Sequence, residues 1–137
     1  MAGKLNLEVA VPERQLINEE VDEVQAPAAT GYLGVLPGHA PLVSELQVGV
    51  LSFRVGDKIR AMALDGGVME VLPAHVRVLA DEAQWGEEVD IDKESRTRDE
   101  VQERLRERAE TVDFDRERLV LARAQARLEA HARSRAS

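Results

Sequence analysis

The sequence predicts a two-part chain, an N-terminal antiparallel β domain of sandwich or barrel type followed by an α-helical hairpin. Three observations carry this prediction. Short stretches in which apolar and polar residues alternate recur between positions 5 and 80, separated by Gly, Pro and Asp. From Asp92 to Glu110 there is neither Gly nor Pro, and charges of both signs alternate. Within that stretch and just beyond it, Val101, Leu105, Ala109 and Val112 follow at spacings of four, four and three, the period of an amphipathic helix.

In chain order, Leu5, Leu7, Val9 and Val11 alternate with Asn6, Glu8 and Ala10 until Pro12 ends the pattern, which predicts a half-buried strand. Leu16 to Val24 reads as a second extended segment with Glu19, Glu20, Asp22 and Glu23 on its wet side, closed by Ala26-Pro27. Residues 31–43, GYLGVLPGHAPLV, gather Gly31, Gly34, Gly38, Pro37 and Pro41 around His39. Gly opens positive φ and Pro fixes φ while removing a donor, so this density predicts a shaped loop. Apolar steps at Leu33–Leu36 and Leu42–Val43 anchor it and make it a contact surface. Gly49 to Val55 alternates again and turns through Gly56-Asp57 into Lys58–Leu64, a hairpin. Asp65-Gly66-Gly67 then predicts a turn into Val68–Leu72, and Pro73-Ala74 another into Val76–Ala80. Strands this short and evenly spaced cover about residues 4–85.

At Gly86 the pattern changes, dividing the chain into residues 1–86 and 87–137. A first helix spans Asp92–Glu110; after the Thr111-Val112-Asp113 break, Asp113 is the expected N-cap of a second, with Asp115 and Glu117 in its positive first turn. Phe114, Leu121 and Leu128 repeat every seven residues, and Ala122, Ala126 and Ala130 form a small-residue face. Two tightly joined antiparallel helices follow. Apolar burial stabilises by roughly 25 cal/mol per Å², so an alanine face docks weakly, and about 45 straightened residues at 1.5 Å each reach nearly 70 Å. A low-stability element able to change position is therefore expected.

Composition narrows the function. An apolar content of 44% supports one modest core, and the absence of cysteine excludes disulfides and thiolate chemistry. The N-terminus shows no unbroken apolar run of the signal-peptide kind and no segment reaches the roughly 18 apolar residues of a membrane span, which predicts an intracellular chain without membrane insertion. The net charge of −8 is uneven: residues 1–91 hold 15 acids and 6 bases, residues 92–137 hold 11 acids and 12 bases. An acidic front argues against nucleic-acid partners. The basic end suits an acidic protein surface, or simply a solvated helix face. His39, His75 and His131 are scattered and form no catalytic or metal constellation, because a general base needs an orienting partner and a metal several ligands. Gly31, Gly34 and Gly38 are followed by no Lys-Ser/Thr and no helix start, so they are turn glycines rather than a phosphate cradle. Arg123 and Arg127, one helical turn apart, are spaced to grip an anion together, or to be solvated separately.

Three stretches carry a resemblance: LPGHAPLV at 36–43, LDGGVMEVLPAHVRVLAD at 64–81, and the helical tail containing DFDRERLVLARAQARL. Together they resemble the ε subunit of bacterial F-type ATP synthases almost end to end. The resemblance implies a β-sandwich followed by an α-helical hairpin, in a non-catalytic central-stalk subunit that couples rotation to ATP synthesis. It implies as partners the γ subunit, the c-subunit ring and, through the C-terminal helices, the catalytic β and α subunits of the synthase, whose ATP hydrolysis the tail inhibits. It places the chain peripherally on the cytoplasmic face of the bacterial inner membrane. Tyr32, Gly34, Pro37, Gly38, His39 and Pro41 take the ring-facing positions, with Tyr32 where relatives often carry an acid, and Asp65, Gly66 and Gly67 take the family's turn. Some relatives bind ATP through an Ile/Leu-Asp-x-x-Arg-Ala motif and two arginines. Asp92, Arg123 and Arg127 match, but Ser95 stands at the motif's arginine, so no cofactor is expected and ATP binding is predicted to be weak or absent. Two rivals remain: a free-standing adaptor or ATP-sensing protein using the hairpin as a docking arm, and a small β-barrel metalloenzyme using His39 and His75, which lacks a His-x-His pair.

Overall fold

Period-2 alternation builds eight strands: β1 (Leu5–Val11), β2 (Arg14–Val21), β3 (Glu23–Ala28), β4 (Gly31–Val35), β5 (Leu42–Val55), β6 (Lys58–Leu72), β7 (His75–Ala80) and β8 (Ala83–Trp85). The computed structural model describes residues 3–107 and 112–136; Ala109 and Thr111, which entered the helical spacing and the break, lie outside them. The strands join in the order β2-β1-β7-β6-β5-β3-β4, with β8 paired to β6. The sheet doubles over on itself, so that Leu5 and Leu7 of β1, Val24 of β3, Val35 of β4, Leu51 and Phe53 of β5, Leu64 and Met69 of β6 and Val78 of β7 share one apolar interior. This is the expected sandwich. One ladder departs from the antiparallel rule: β1 lies parallel to β7, because the first strand is inserted between its hairpin partner β2 and the seventh.

Three local expectations change. Leu16–Val24 is two strands, since the chain bends at Asp22, whose carboxylate accepts hydrogen bonds from Lys4 Nζ and, at 2.7 Å, from Gly56 N. Ala26-Pro27 does not close that segment but lies inside β3, where the register against β5 shifts between Gln25 and Ala28; a residue without N–H is tolerated at such a bulge. Second, Gly31–Val35 is strand rather than loop, paired to β3 at the sheet's edge, and the shaped loop shrinks to residues 36–41. Third, Asp65-Gly66-Gly67 does not reverse the chain. β6 runs straight through it and changes neighbour there, pairing with β8 at Met62–Leu64 and with β7 from Gly67 to Leu72. Gly67, at φ +135°, passes so close to Leu79 O and Ala80 that a Cβ has no room.

After a short 3-10 turn at Gly86–Glu88 come α1 (Ile91–Glu107) and α2 (Phe114–Ala136). Asp90 Oδ1 accepts Lys93 N at 3.1 Å and so starts α1 one residue earlier than the expected Asp92, while Asp113 Oδ1 accepts Arg116 N at 3.2 Å as the expected cap of α2. α2 lies along the sandwich: Ala126 and Ala130 pack on Val50, Ala61 and Ala63 of β5 and β6. Ala122 of the expected small-residue face is only half-buried, and Ala124 is buried instead. α1 leans on α2, with Val101 fully buried and Arg104 paired to Glu117 at 3.0 Å.

Candidate binding surfaces

The loop at residues 36–41 forms one end of the sandwich. Gly38, at φ +87°, donates its N–H to Pro73 O at 2.8 Å, which ties the loop to the β6–β7 turn. His39 closes the loop on itself: its N–H reaches Leu36 O at 3.2 Å, and its Nδ1 sits 2.7 Å from Ala40 O, which assigns that nitrogen the proton. Its ring braces the turn between Pro37 and Pro41. Leu36, Leu42 and Val43, expected to anchor the loop, are instead exposed beside it, so this end presents apolar side chains to the outside. Gly34 lies just before the loop on the free edge of β4. Tyr32 does not join this group. Its hydroxyl accepts Val50 N at 2.9 Å and the Arg133 guanidinium of α2 stands over its ring, so the side chain is turned toward the helices.

A second surface is the outer face of β6, β7 and β1. Val68 pairs with Leu79 and Leu79 with Ala10, and Val68 and Leu79 are 47% and 67% exposed. Glu8, Glu70 and Arg77 rim them, the Arg77–Glu8 pair at 3.4 Å, around a groove of about 420 Å³. A contiguous apolar strip on the face away from α2 is unusual for a surface that meets only water.

The third surface is the cleft between sandwich and hairpin, about 270 Å³, lined by Asp65 and Glu82 from one side and Lys93, Glu94, Arg123 and Arg127 from the other. Both predicted arginines reach it, and each is paired to a carboxylate. Arg123 Nε lies 2.8 Å from Asp65 Oδ2, an ion pair whose angle falls short of a hydrogen bond. Arg127 donates to Glu94 Oε1 at 3.3 Å, and Glu94 is only 5% exposed. Asp92 stands exposed on the first turn of α1 and does not line the cleft. Three cations face three carboxylates here, so the lining carries no net positive charge. Glu94 escaped the sequence reading, although it lies seven residues before Val101 and hence on the same helix face. Among the described residues no cluster of three His, Asp or Glu could hold a metal ion, and no helix is long and apolar enough to cross a membrane.

Residues 4–86 match the family described as the beta-sandwich domain of the ATP synthase delta/epsilon chain. The ATP synthase epsilon chain of Syntrophobacter fumaroxidans is 41% identical over 128 residues, covering 93% of this chain and 96% of that one. The chain belongs to the ATP synthase epsilon-chain family. The Solibacter usitatus epsilon chain is 57% identical over 93 residues, 68% of this chain and 69% of its own. A chain in the cryo-EM structure of the Euglena gracilis mitochondrial ATP synthase, with OSCP, F1 and the c-ring in rotational state 1, superposes with a TM-score of 0.80 at 25% identity over 94% of this chain and 81% of that one. The family match covers the sandwich, and the Syntrophobacter alignment extends into both helices.

Proposed function

We propose that the chain is a non-catalytic central-stalk subunit of a proton-translocating F-type ATP synthase, peripheral on the cytoplasmic face of the inner membrane. The observation that carries this reading is the near full-length correspondence with an epsilon chain, sandwich and hairpin together. The apolar strip of Val68 and Leu79 suits the γ subunit, being contiguous, rimmed by charge and remote from α2. The end built from Pro37, Gly38, His39 and Pro41 suits the c-subunit ring, because Leu36 and Leu42 are exposed beside a loop that is tied to the β6–β7 turn. The hairpin is the regulatory part. Released from the sandwich, the helices, of which α2 is the basic one, reach toward the α and β subunits and restrain ATP hydrolysis.

Affinity isolation of the tagged chain from detergent-solubilised membranes tests the reading. γ and the c ring should co-purify in fixed ratio; recovery of the chain free of both favours the adaptor reading. ATP is not proposed as a ligand, since Asp65 and Glu94 already neutralise Arg123 and Arg127. Calorimetric titration of ATP into the isolated chain should give no saturating isotherm in the micromolar range, and a saturating one would restore the nucleotide site.

A further inference from the structure

The contact between Tyr32 and the end of α2 belongs to none of the partner surfaces above. Between the β3–β5 pairs Gln25↔Ser52 and Ala28↔Leu46 the register shifts, and Pro27 offers no N–H there. Across this gap Val50 N–H donates to Tyr32 Oη at 2.9 Å. The ring can lie flat over the gap because position 49 is glycine: a Cβ there would come within 2.6 Å of Pro27 Cβ and 2.9 Å of Tyr32 Oη. Tyr32 is thus held in place by the sheet while 54% of its surface stays exposed. Above it, Arg133 Cζ is 5.9 Å from the ring centroid. Glu129, one turn earlier, fixes that guanidinium at 2.8 Å, and its other nitrogen reaches the buried Ser52 Oγ at 3.5 Å.

We propose that Tyr32 is the sandwich's seat for the C-terminal end of α2, and that Tyr32 with Arg133 forms a latch holding the hairpin down. A cation over an aromatic face is attracted by the ring's negative face, and the attraction strengthens when the pair is shielded from water. The alanine contact beneath α2 is small, so a polar contact near the helix end has leverage over whether the last turns stay docked. Two neighbouring contacts act in the same stretch: His131 Nδ1 lies 3.0 Å from Gly86 O, and Ser134 Oγ donates to Ala61 O at 3.4 Å. The hairpin is therefore fastened near its C-terminus, and α1 follows through α2. This latch concerns the chain by itself and stands whether or not the released helices restrain hydrolysis.

Hydrogen exchange of the isolated full-length chain tests it. Arg133→Met and Tyr32→Leu should each raise exchange of the amides at 124–134 about threefold, the size expected for an exposed cation–π pair. The double variant should fall clearly short of the sum of the two changes, because both remove the same cation–π contact. Tyr32→Phe, which keeps the ring and loses the hydroxyl, should accelerate exchange at Val50 while leaving α2 as in the wild type. Tyr32→Leu also deprives Val50 of its acceptor and can loosen the sheet, and Arg133→Met also loses the Ser52 bond, so the double variant is needed to isolate the shared contact. Unchanged α2 exchange in Arg133→Met overturns the latch, as do effects of the two single changes that add in full.

Discussion

The interior of the sandwich and the seat of the hairpin are both apolar contacts, yet they differ in kind. Inside the sandwich Leu5, Leu7, Leu51, Met62, Leu64 and Met69 are fully buried, or within a percent or two of it, and interlock from both halves of the sheet. Beneath α2 the buried set is Val50, Ala61, Ala63, Ala126 and Ala130. Burying a leucine side chain contributes about 1.5–3 kcal/mol, whereas an alanine methyl adds about 0.8 kcal/mol. The small side chains let the helix backbone approach closely but contribute little once it is there. Position along one chain thus separates a part held by large interlocking side chains from a part held by small ones, and across that second contact the half-exposed ion pair Arg123–Asp65 adds orientation more than strength.

The largest expected effect lies on the sandwich side. Leu7→Ala removes a fully buried side chain from the centre of β1, and surroundings packed from two sides cannot close the cavity. A loss of about 2–5 kcal/mol is expected, read as a lower urea midpoint with unchanged slope. A loss below about 1 kcal/mol would erase the difference between the two regions.

A smaller and more local effect is expected at the hinge. Gly86 lies against α2 so closely that a Cβ would collide with Ala130 O and Ser134 Oγ. Gly86→Ala should cost about 1–3 kcal/mol by overpacking, and the chain can avoid this by lifting α2. Trp85, the single tryptophan, adjoins this point and packs against Phe53 and Arg60. Its fluorescence and proteolysis of the tail should change while the sandwich's thermal midpoint stays close to wild type. A lowered midpoint with an undisturbed tail would show that the two regions are coupled more tightly than their contacts suggest.

Most of the sandwich was legible because a half-buried strand writes its burial into the sequence, as Leu5, Leu7 and Val9 do. What was misread were positions where glycine or proline serves a strand. Gly31, Gly34, Gly66 and Gly67 look like turn residues in isolation, but edge pairing at β4 and the change of neighbour along β6 use them inside strands. Only the paired partner distinguishes the two, and partners distant in sequence leave no local mark. The same limit governs the candidate sites. Loop 36–41 is shaped by its own residues and was legible as a loop, whereas Asp65, Glu94, Ser52 and Tyr32, the partners that Arg123, Arg127 and Arg133 find on other elements, lie at least 33 positions away. Tyr32 shows the consequence most clearly: local context assigns it to the loop end, and the fold turns it toward α2.

The smallest expected effect is electrostatic and again belongs to the sandwich. Asp22, at the bend between β2 and β3, is held below its ordinary pKa of 3.8, chiefly by the hydrogen bond from Lys4 and next by the N–H of Gly56, with Arg54 nearby. A carboxyl whose folded pKa lies below its unfolded one stabilises the fold at pH values above the unfolded pKa, and that contribution fades as pH falls through the folded one. The loss is therefore confined to acid below about pH 3.8, with no change across the neutral range. Asp22→Asn should flatten this part of the stability profile and lower stability slightly at neutral pH, since an amide accepts the Gly56 bond but attracts Lys4 less. Thermal melts between pH 2 and 7, with hairpin docking followed in parallel by Trp85 fluorescence, should show the sandwich responding and the hairpin seat unaffected, because Asp22 touches neither helix.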